Sequence, residues 1–509
     1  MKLRDYHAPR WSEPIIHELS SPGERGFIPP SSEKKIKDKV GSGSSLIPEG
    51  MKRKHKPDLP ELSQAQVLRH YLRLSQMTLG MELDIDLGVG TCTMKYSPKI
   101  NEELAAMIKD IHPLQPEETM QGLLEVAYRF GDIFLREISG MDAFSYQPPG
   151  GSAGCYNNAL IMRKYHADRG EANRDEVITT IFSHPCDAAS PATAGYKVIT
   201  LYPDPETGLP DTEALKEAVG PNTAGCFITN PEDIGIFNKQ IDEWTGIIHD
   251  AGGLCSYDQA NANALLGVTR ARDAGFDMLF FNLHKTFSSP HGSSGPGSAA
   301  IGVIKELEEY LPVPVIVKKD GAYALDYDRP KSIGKVRDFL GNLQVVVRCY
   351  AWSMAMGARG LREAAEVSMI NSQYLVEKVK KIKGVSLTYP SRRIDQARWS
   401  LDEMKKETGV GVEDVNRRVV DFGVQKYFTS HHPWLIPEPF TPEPCETYSK
   451  ADIDYWCAVL ERVSKEAYSD PELVKSAPHN SSIHRMEWDG FNDPERWAMS
   501  WRAYKRKQR

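Results

Sequence analysis

The chain has 509 residues, 40% of them hydrophobic and 26% charged, an ordinary balance for a globular fold at a length that divides into more than one domain. A formal charge of −7 gives no reason to expect a nucleic acid or a membrane surface as partner. No apolar run approaches the roughly 18 residues of a membrane span, and Met1 to Pro9 lack the apolar core of a signal peptide, so the expected location is the cytoplasm.

Residues 1–60 are poor in periodic structure. Pro29-Pro30-Ser31-Ser32, Lys34-Lys35-Ile36-Lys37 and Gly41-Ser42-Gly43-Ser44-Ser45 favour an extended arm over a core. Apolar residues at three- and four-residue spacing predict a helix over 63–74, and another follows over 101–109, after a small polar loop at 88–95. From 143 onward strands and helices alternate. The predicted strands are 143–146, 177–182, 197–201, 226–229, 254–257, 278–281 and 299–303, with helices between them such as 157–168 and 212–218, the latter with Asp211 as N-cap. This alternation predicts a mostly parallel sheet covered on both faces, with ligands at the carboxyl ends of its strands. Past 331 the composition turns helical, with helices over 344–356 and 360–379. An extended Pro-rich connection at 433–439 and a basic, fraying tail at 502–509 complete the chain. The expected division is an N-terminal arm and helix (1–95), a large α/β domain (96–335) and a smaller α+β domain with the tail (336–509).

The eight cysteines (92, 155, 186, 226, 255, 349, 445, 457) form no CxxC pair, so their spacing predicts neither a disulfide framework nor a metal site. The chemistry centres on Lys285. Most lysines are solvated surface charges, but the strand-like Met278-Leu279-Phe280-Phe281 leads into this one and a loop of glycine, serine and proline follows it. Burial there lowers the amine's pKa and keeps it nucleophilic. Gln147-Pro148-Pro149-Gly150-Gly151-Ser152-Ala153-Gly154 lies between a strand and a helix, where backbone N–H groups can hold a phosphate, although such a turn serves equally well as plain structure. Asp258 ends a strand in Tyr257-Asp258-Gln259-Ala260-Asn261, a place where an aspartate is more often an N-cap than a catalytic group. One strand–helix–strand excursion separates Asp258 from Lys285. Together they suit an aspartate that pairs with a pyridinium nitrogen and a lysine that forms a Schiff base with pyridoxal 5'-phosphate.

Motifs spread nearly end to end carry a family resemblance. They are Gly90-Thr91-Cys92-Thr93-Met94-Lys95-Tyr96, His112-Pro113-Leu114-Gln115-Pro116-Glu117-Glu118-Thr119, Asn282-Leu283-His284-Lys285-Thr286-Phe287, Asp326-Tyr327-Asp328-Arg329-Pro330-Lys331-Ser332-Ile333-Gly334, and Asp470-Pro471-Glu472-Leu473-Val474-Lys475 with Ala477-Pro478-His479-Asn480. On these the chain resembles the family of pyridoxal-phosphate-bearing second subunits of the two-subunit glycine decarboxylase, the glycine dehydrogenase of glycine cleavage, over residues 18–485. The resemblance implies a fold-type-I, aspartate-aminotransferase-like architecture: a large α/β domain, a smaller α+β C-terminal domain and an extended N-terminal arm. It implies Lys285 as the Schiff-base lysine, Asp258 against the pyridine nitrogen, His184 stacked on the cofactor ring, and His284 and Thr286 near the phosphate with Gly151 and Ser152. Thr91, Thr93 and Lys95 fall on a substrate-side loop. The reaction implied is decarboxylation of glycine with transfer of the aminomethyl group to the lipoyl group of a carrier protein, in a dimer or a heterotetramer with a companion first subunit.

The chain departs from the family pattern near this site. Gly151-Ser152-Ala153-Gly154-Cys155 stands where the family commonly has Gly-Ala-His-Gly-Glu, and Pro185-Cys186-Asp187 stands for Gly-Thr-Asn. Lost ionisable groups alter proton transfer or substrate choice more than cofactor binding, so the competing expectation is a pyridoxal-phosphate decarboxylase or lyase acting on a different amino acid or amine.

Overall fold

The structure, a computed structural model, describes residues 1–80, 83–88, 95–290, 297–425, 429–482, 490 and 493–508. Its central sheet has seven strands: β1 (Ala143–Ser145), β2 (Glu176–Thr180), β3 (Lys197–Leu201), β4 (Thr223–Thr229), β5 (Leu254–Gln259), β6 (Met278–Asn282) and β7 (Ala299–Val303). They lie in the order β1-β7-β6-β5-β4-β2-β3. Strands β2 to β6 run parallel to one another, and β7 runs against both β6 and β1. Every residue of β5, β6 and β7 is buried, and β6 and β7 accordingly read as nearly continuous apolar runs without alternation. The chain leaves β2, visits β3 on one side and returns to β4 on the other. That reversal opens a crevice at the carboxyl ends of β2 and β4, the usual ligand position on such sheets.

The helix that follows β1 spans Gly151–Asp168, so it begins six residues before the start predicted at 157. A Cβ on Gly154 would fall 2.9 Å from Phe280 Cβ, and one on Gly151 would fall 2.8 Å from Asn282 Nδ2. The glycines therefore let the first turn press directly onto β6. Glycine is a poor helix former, and this packing overrides its propensity.

The predicted pair of C-terminal helices is present within Leu343–Val379, the two parted at Gly357, whose φ of 62° is not helical. Its second half packs on a separate core that includes the fully buried Trp399, Trp456 and Phe440. Short strands Ser386–Leu387, Trp399–Ser400 and Pro439–Phe440 form an antiparallel sheet there. The segment 433–439 turns and is not extended: the Leu435 and Ile436 N–H groups both donate to His432 O, at 3.0 and 3.2 Å.

The chain divides into two compact units, residues 1–4 with 81–476, and residues 5–80 with 477–509. In the second unit Ser63 and Gln66 cap the helix Gln64–Gln76 reciprocally, while Glu13 accepts from His70 and Arg73 on that helix. The tail forms a helix, Trp501–Lys507, with Ser500 as its N-cap, and Trp501 stacks on His17 at 4.8 Å. The cap and the aromatic stack hold its first turn. No helix among the described residues is long and apolar enough to cross a membrane.

Candidate functional site

Lys285 sits in the turn that leaves β6 and is only 5% exposed. Three contacts fix that turn: Asn282 N–H donates to Ala260 O, Leu283 N–H to Ser298 O, and Ala262 N–H to Thr286 Oγ1 at 2.8 Å. The last ties the lysine turn to the loop that leaves β5. Thr286 is thus a structural link as well as a neighbour of the lysine. His284 Nδ1 lies against Ser298.

Asp258, on β5, is buried beside this turn. Its Oδ1 accepts the Ala260 N–H at 2.8 Å, the local capping contact that the sequence suggests, and its Oδ2 lies 3.7 Å from Cys186 Sγ. The residue serves both readings, since one oxygen caps the strand end and the other faces the crevice. Burial pushes its carboxyl up to about 6 despite the Ala260 N–H and the Lys285 charge, which both favour ionisation.

His184 follows β2. Its N–H donates to Thr229 Oγ1 at 3.1 Å, and its Nδ1 accepts the Cys186 N–H at 3.1 Å, which leaves the ring proton on Nε2. Burial, helped by the positive charges of Lys285 and His431, lowers its pKa to about 4. His184 is therefore neutral at pH 7. His431 meets it edge to face at 5.4 Å and lies 3.2 Å from Asp233 Oδ2.

Gly151 and Ser152 open the helix Gly151–Asp168, and no side chain caps its N-terminus. Ser152 is exposed and its carbonyl accepts Ser190 Oγ at 3.0 Å. Lys95 is buried, paired with Glu446 at 2.9 Å and 5.1 Å above the Trp352 ring. Thr91 and Thr93 lie outside the described residues.

Two further buried carboxyls had no role assigned from sequence. Asp187 is fully buried and accepts Thr229 Oγ1 at 2.8 Å, and burial with the nearby Asp258 charge holds its carboxyl well above the usual range. Glu443, also buried, accepts the Asn261 and Asn263 amides at 2.6 and 2.8 Å; burial and Asp395 push it up to about 8. The available signal for Asp187 was its place one helical turn after His184. For Glu443 the hydrogen-bonding partners, Asn261 and Asn263, lie far away in the chain.

Comparison with known proteins places this geometry in context. A family model described as "Glycine dehydrogenase, C-terminal domain" matches residues 364–482. A protein of Pyrococcus furiosus, named a probable glycine dehydrogenase (decarboxylating) subunit 2, is 44% identical over 97% of each chain. One of the same name from Caldanaerobacter subterraneus is 41% identical over 95% of this chain and 97% of its own. Among solved structures, the glycine decarboxylase (P-protein) of the glycine cleavage system superposes with a TM-score of 0.73 at 19% identity, covering 86% of this chain and all of that one. A cysteine desulfurase from Escherichia coli superposes with a TM-score of 0.56 at 13% identity, over 75% of this chain and 95% of its own. The fold is thus the expected α/β fold-type-I architecture.

Proposed function

The chain belongs to the glycine dehydrogenase (decarboxylating) subunit 2 family, and on that premise we propose that it decarboxylates glycine with the help of pyridoxal 5'-phosphate and passes the aminomethyl group to the lipoyl disulfide of a carrier protein. The near full-length identity to subunit 2 relatives carries this reading. A companion first subunit belongs to it, as the relatives' name implies.

The residues present fit the cofactor. The uncapped helix start at Gly151 and Ser152 offers N–H groups to a phosphate. Asn282 Oδ1 is buried beside it with no hydrogen-bond partner. Lys285 supplies a buried amine and Asp258 a buried carboxyl.

When bound, pyridoxal phosphate supplies the electron sink for the bond that breaks at the substrate's α-carbon. Lys285 Nζ, the buried amine in the turn after β6, would hold the cofactor covalently. Asp258 Oδ2 keeps a proton on the pyridine nitrogen, while Oδ1 stays anchored to the Ala260 N–H, so the acceptor does not swing away. The neutral His184 presents a flat ring that adds no charge next to Lys285. In the net reaction the Cα–carboxylate bond breaks to release carbon dioxide. The Cα carbon bonds one lipoyl sulfur, and the electron pair of the broken S–S bond leaves with the other sulfur, which takes a proton.

The test is exchange of labelled bicarbonate into the carboxyl group of glycine, with companion subunit and lipoyl carrier supplied. Exchange well above a Lys285→Ala control is expected. No exchange, combined with a shift of the cofactor spectrum by some other amino acid, would move the assignment to that substrate.

A further inference from the structure

We propose that Cys155, Cys186 and Asp187 form a binding site for a soft divalent cation of the zinc class, with Asp258 beside its open fourth position. Both Sγ atoms and an Asp187 carboxylate oxygen lie within 4.8 Å of one another. Cys155 comes from the first turns of the helix Gly151–Asp168, whereas Cys186 and Asp187 open the helix Cys186–Thr193. Two rigid elements thus present the ligands.

Cys155 Sγ is 3.5 Å from Asp187 Oδ1, and Cys186 Sγ is 3.7 Å from Asp258 Oδ2. Tetrahedral zinc, with bonds of roughly 2.3 Å to sulfur and 2.0 to 2.2 Å to oxygen, holds neighbouring sulfur and oxygen ligands about 3.5 to 3.7 Å apart. The Cys155–Asp187 distance already matches an edge of that tetrahedron, while the Cys186–Asp258 distance places that carboxyl beside the site. Two sulfurs and one oxygen select zinc over calcium or magnesium, which take oxygen ligands.

The outer contacts orient the ligands as well. Thr229 Oγ1 donates to Asp187 Oδ2 at 2.8 Å, which leaves Oδ1 turned to the sulfurs, the arrangement that supporting residues give around metal centres. Asp187 and the two thiols are buried together, and a bound dication would balance the charge they take on as ligands. The cluster of His249, Cys255 and Asp277 carries no comparable case, because Asp277 Oδ2 already accepts both the His249 ring and the Cys255 N–H.

One consequence rests on the proposed function. A cation bound by Cys186 draws that thiol away from Asp258 and sets positive charge beside the carboxylate that faces the cofactor, so cation and cofactor weaken each other's binding reciprocally.

The full-length chain, stripped of metal with a chelator, is equilibrated with zinc and desalted, and separately titrated with cobalt. About one retained equivalent is expected, with the intense visible bands of tetrahedral cobalt and thiolate charge transfer. Both signals should disappear in Cys186→Ser and Asp187→Asn and persist in Cys255→Ser. No retained metal, a six-coordinate cobalt spectrum, or equal retention by the folded variants would overturn the site. If a variant fails to fold, the wild-type cobalt spectrum alone decides. A metal-free chain that has lost two free thiols, regained with a phosphine reductant, would show a disulfide and also overturn it. None of these readouts needs glycine exchange, so the site and the proposed activity can fail separately.

Discussion

At the scale of single residues the site makes three expectations. Borohydride should fix the cofactor to the wild-type chain but not to Lys285→Ala, since the buried amine is the covalent anchor; mass spectrometry of the reduced protein reads this directly. Asp258→Asn keeps the shape of the pocket and loses the charge that holds a proton on the ring nitrogen. It should still be fixed by borohydride, while its exchange rate drops about 100- to 1,000-fold, the size seen when one preorganised electrostatic contact is removed. His184, with a pKa lowered to about 4 chiefly by burial, stays neutral across the working range. Its ring resonance should not titrate between pH 5.5 and 8, and His184→Phe should leave the pH profile of exchange unchanged. A profile that loses its acidic limb in that variant would mean that the ring carries a working proton.

At the scale of elements, the sheet was legible and the helix ends were less so. The strands Lys197–Leu201 and Ala299–Val303 match their expected bounds: the first carries the β-branched run Val198-Ile199-Thr200, and the second is buried along its whole length. The helix start at Gly151 was hidden, since glycine's low propensity is overridden by contact with Phe280, a residue far away in the chain. Lys285 was legible because it follows an apolar strand and Asp258 because it stands near the end of β5, whereas Asp187 and Glu443 join the site through long-range hydrogen bonds. One element invites a stability test. Residues 85–88 are threaded through the C-terminal part of their unit: Ile85 bridges Val424, Leu87 O accepts the Glu443 N–H at 2.8 Å, and Asp86 O accepts the Tyr448 hydroxyl at 3.0 Å. Burial pushes the Asp86 carboxyl up to about 7, above its value of about 3.9 in an unfolded chain. Its protonated form is favoured in the folded state, so its contribution is fully present below pH ~4 and is lost as pH rises through ~7. Asp86→Asn removes that loss. Urea melts should show the variant more stable at pH 8 by on the order of 1 to 3 kcal/mol and close to wild type at pH 4; a gap that does not widen with pH would refute the argument.

At the scale of the whole molecule, the proposed companion subunit must cover surface that this chain leaves bare. The unit of residues 5–80 and 477–509 exposes Trp11, Phe27, Ile28, Leu46 and Met51, together with Leu68, Tyr71 and Leu72 on the helix Gln64–Gln76. The last three recur at three- and four-residue spacing and so form one outward apolar stripe. Scattered exposed apolar residues are normal, but a contiguous stripe marks an interaction surface. If the first subunit docks there, amide exchange over 64–76 should slow when it is added. Leu68→Glu combined with Leu72→Glu should weaken assembly at least about tenfold, because a buried carboxylate without a partner costs more than the roughly 1.4 kcal/mol of one decade. Borohydride fixation of the cofactor on the isolated chain should be unchanged, since neither leucine touches the site. Unaltered assembly by sedimentation velocity, with exchange slowing elsewhere, would place the partner on a different face and leave the stripe as a solvated surface of the arm.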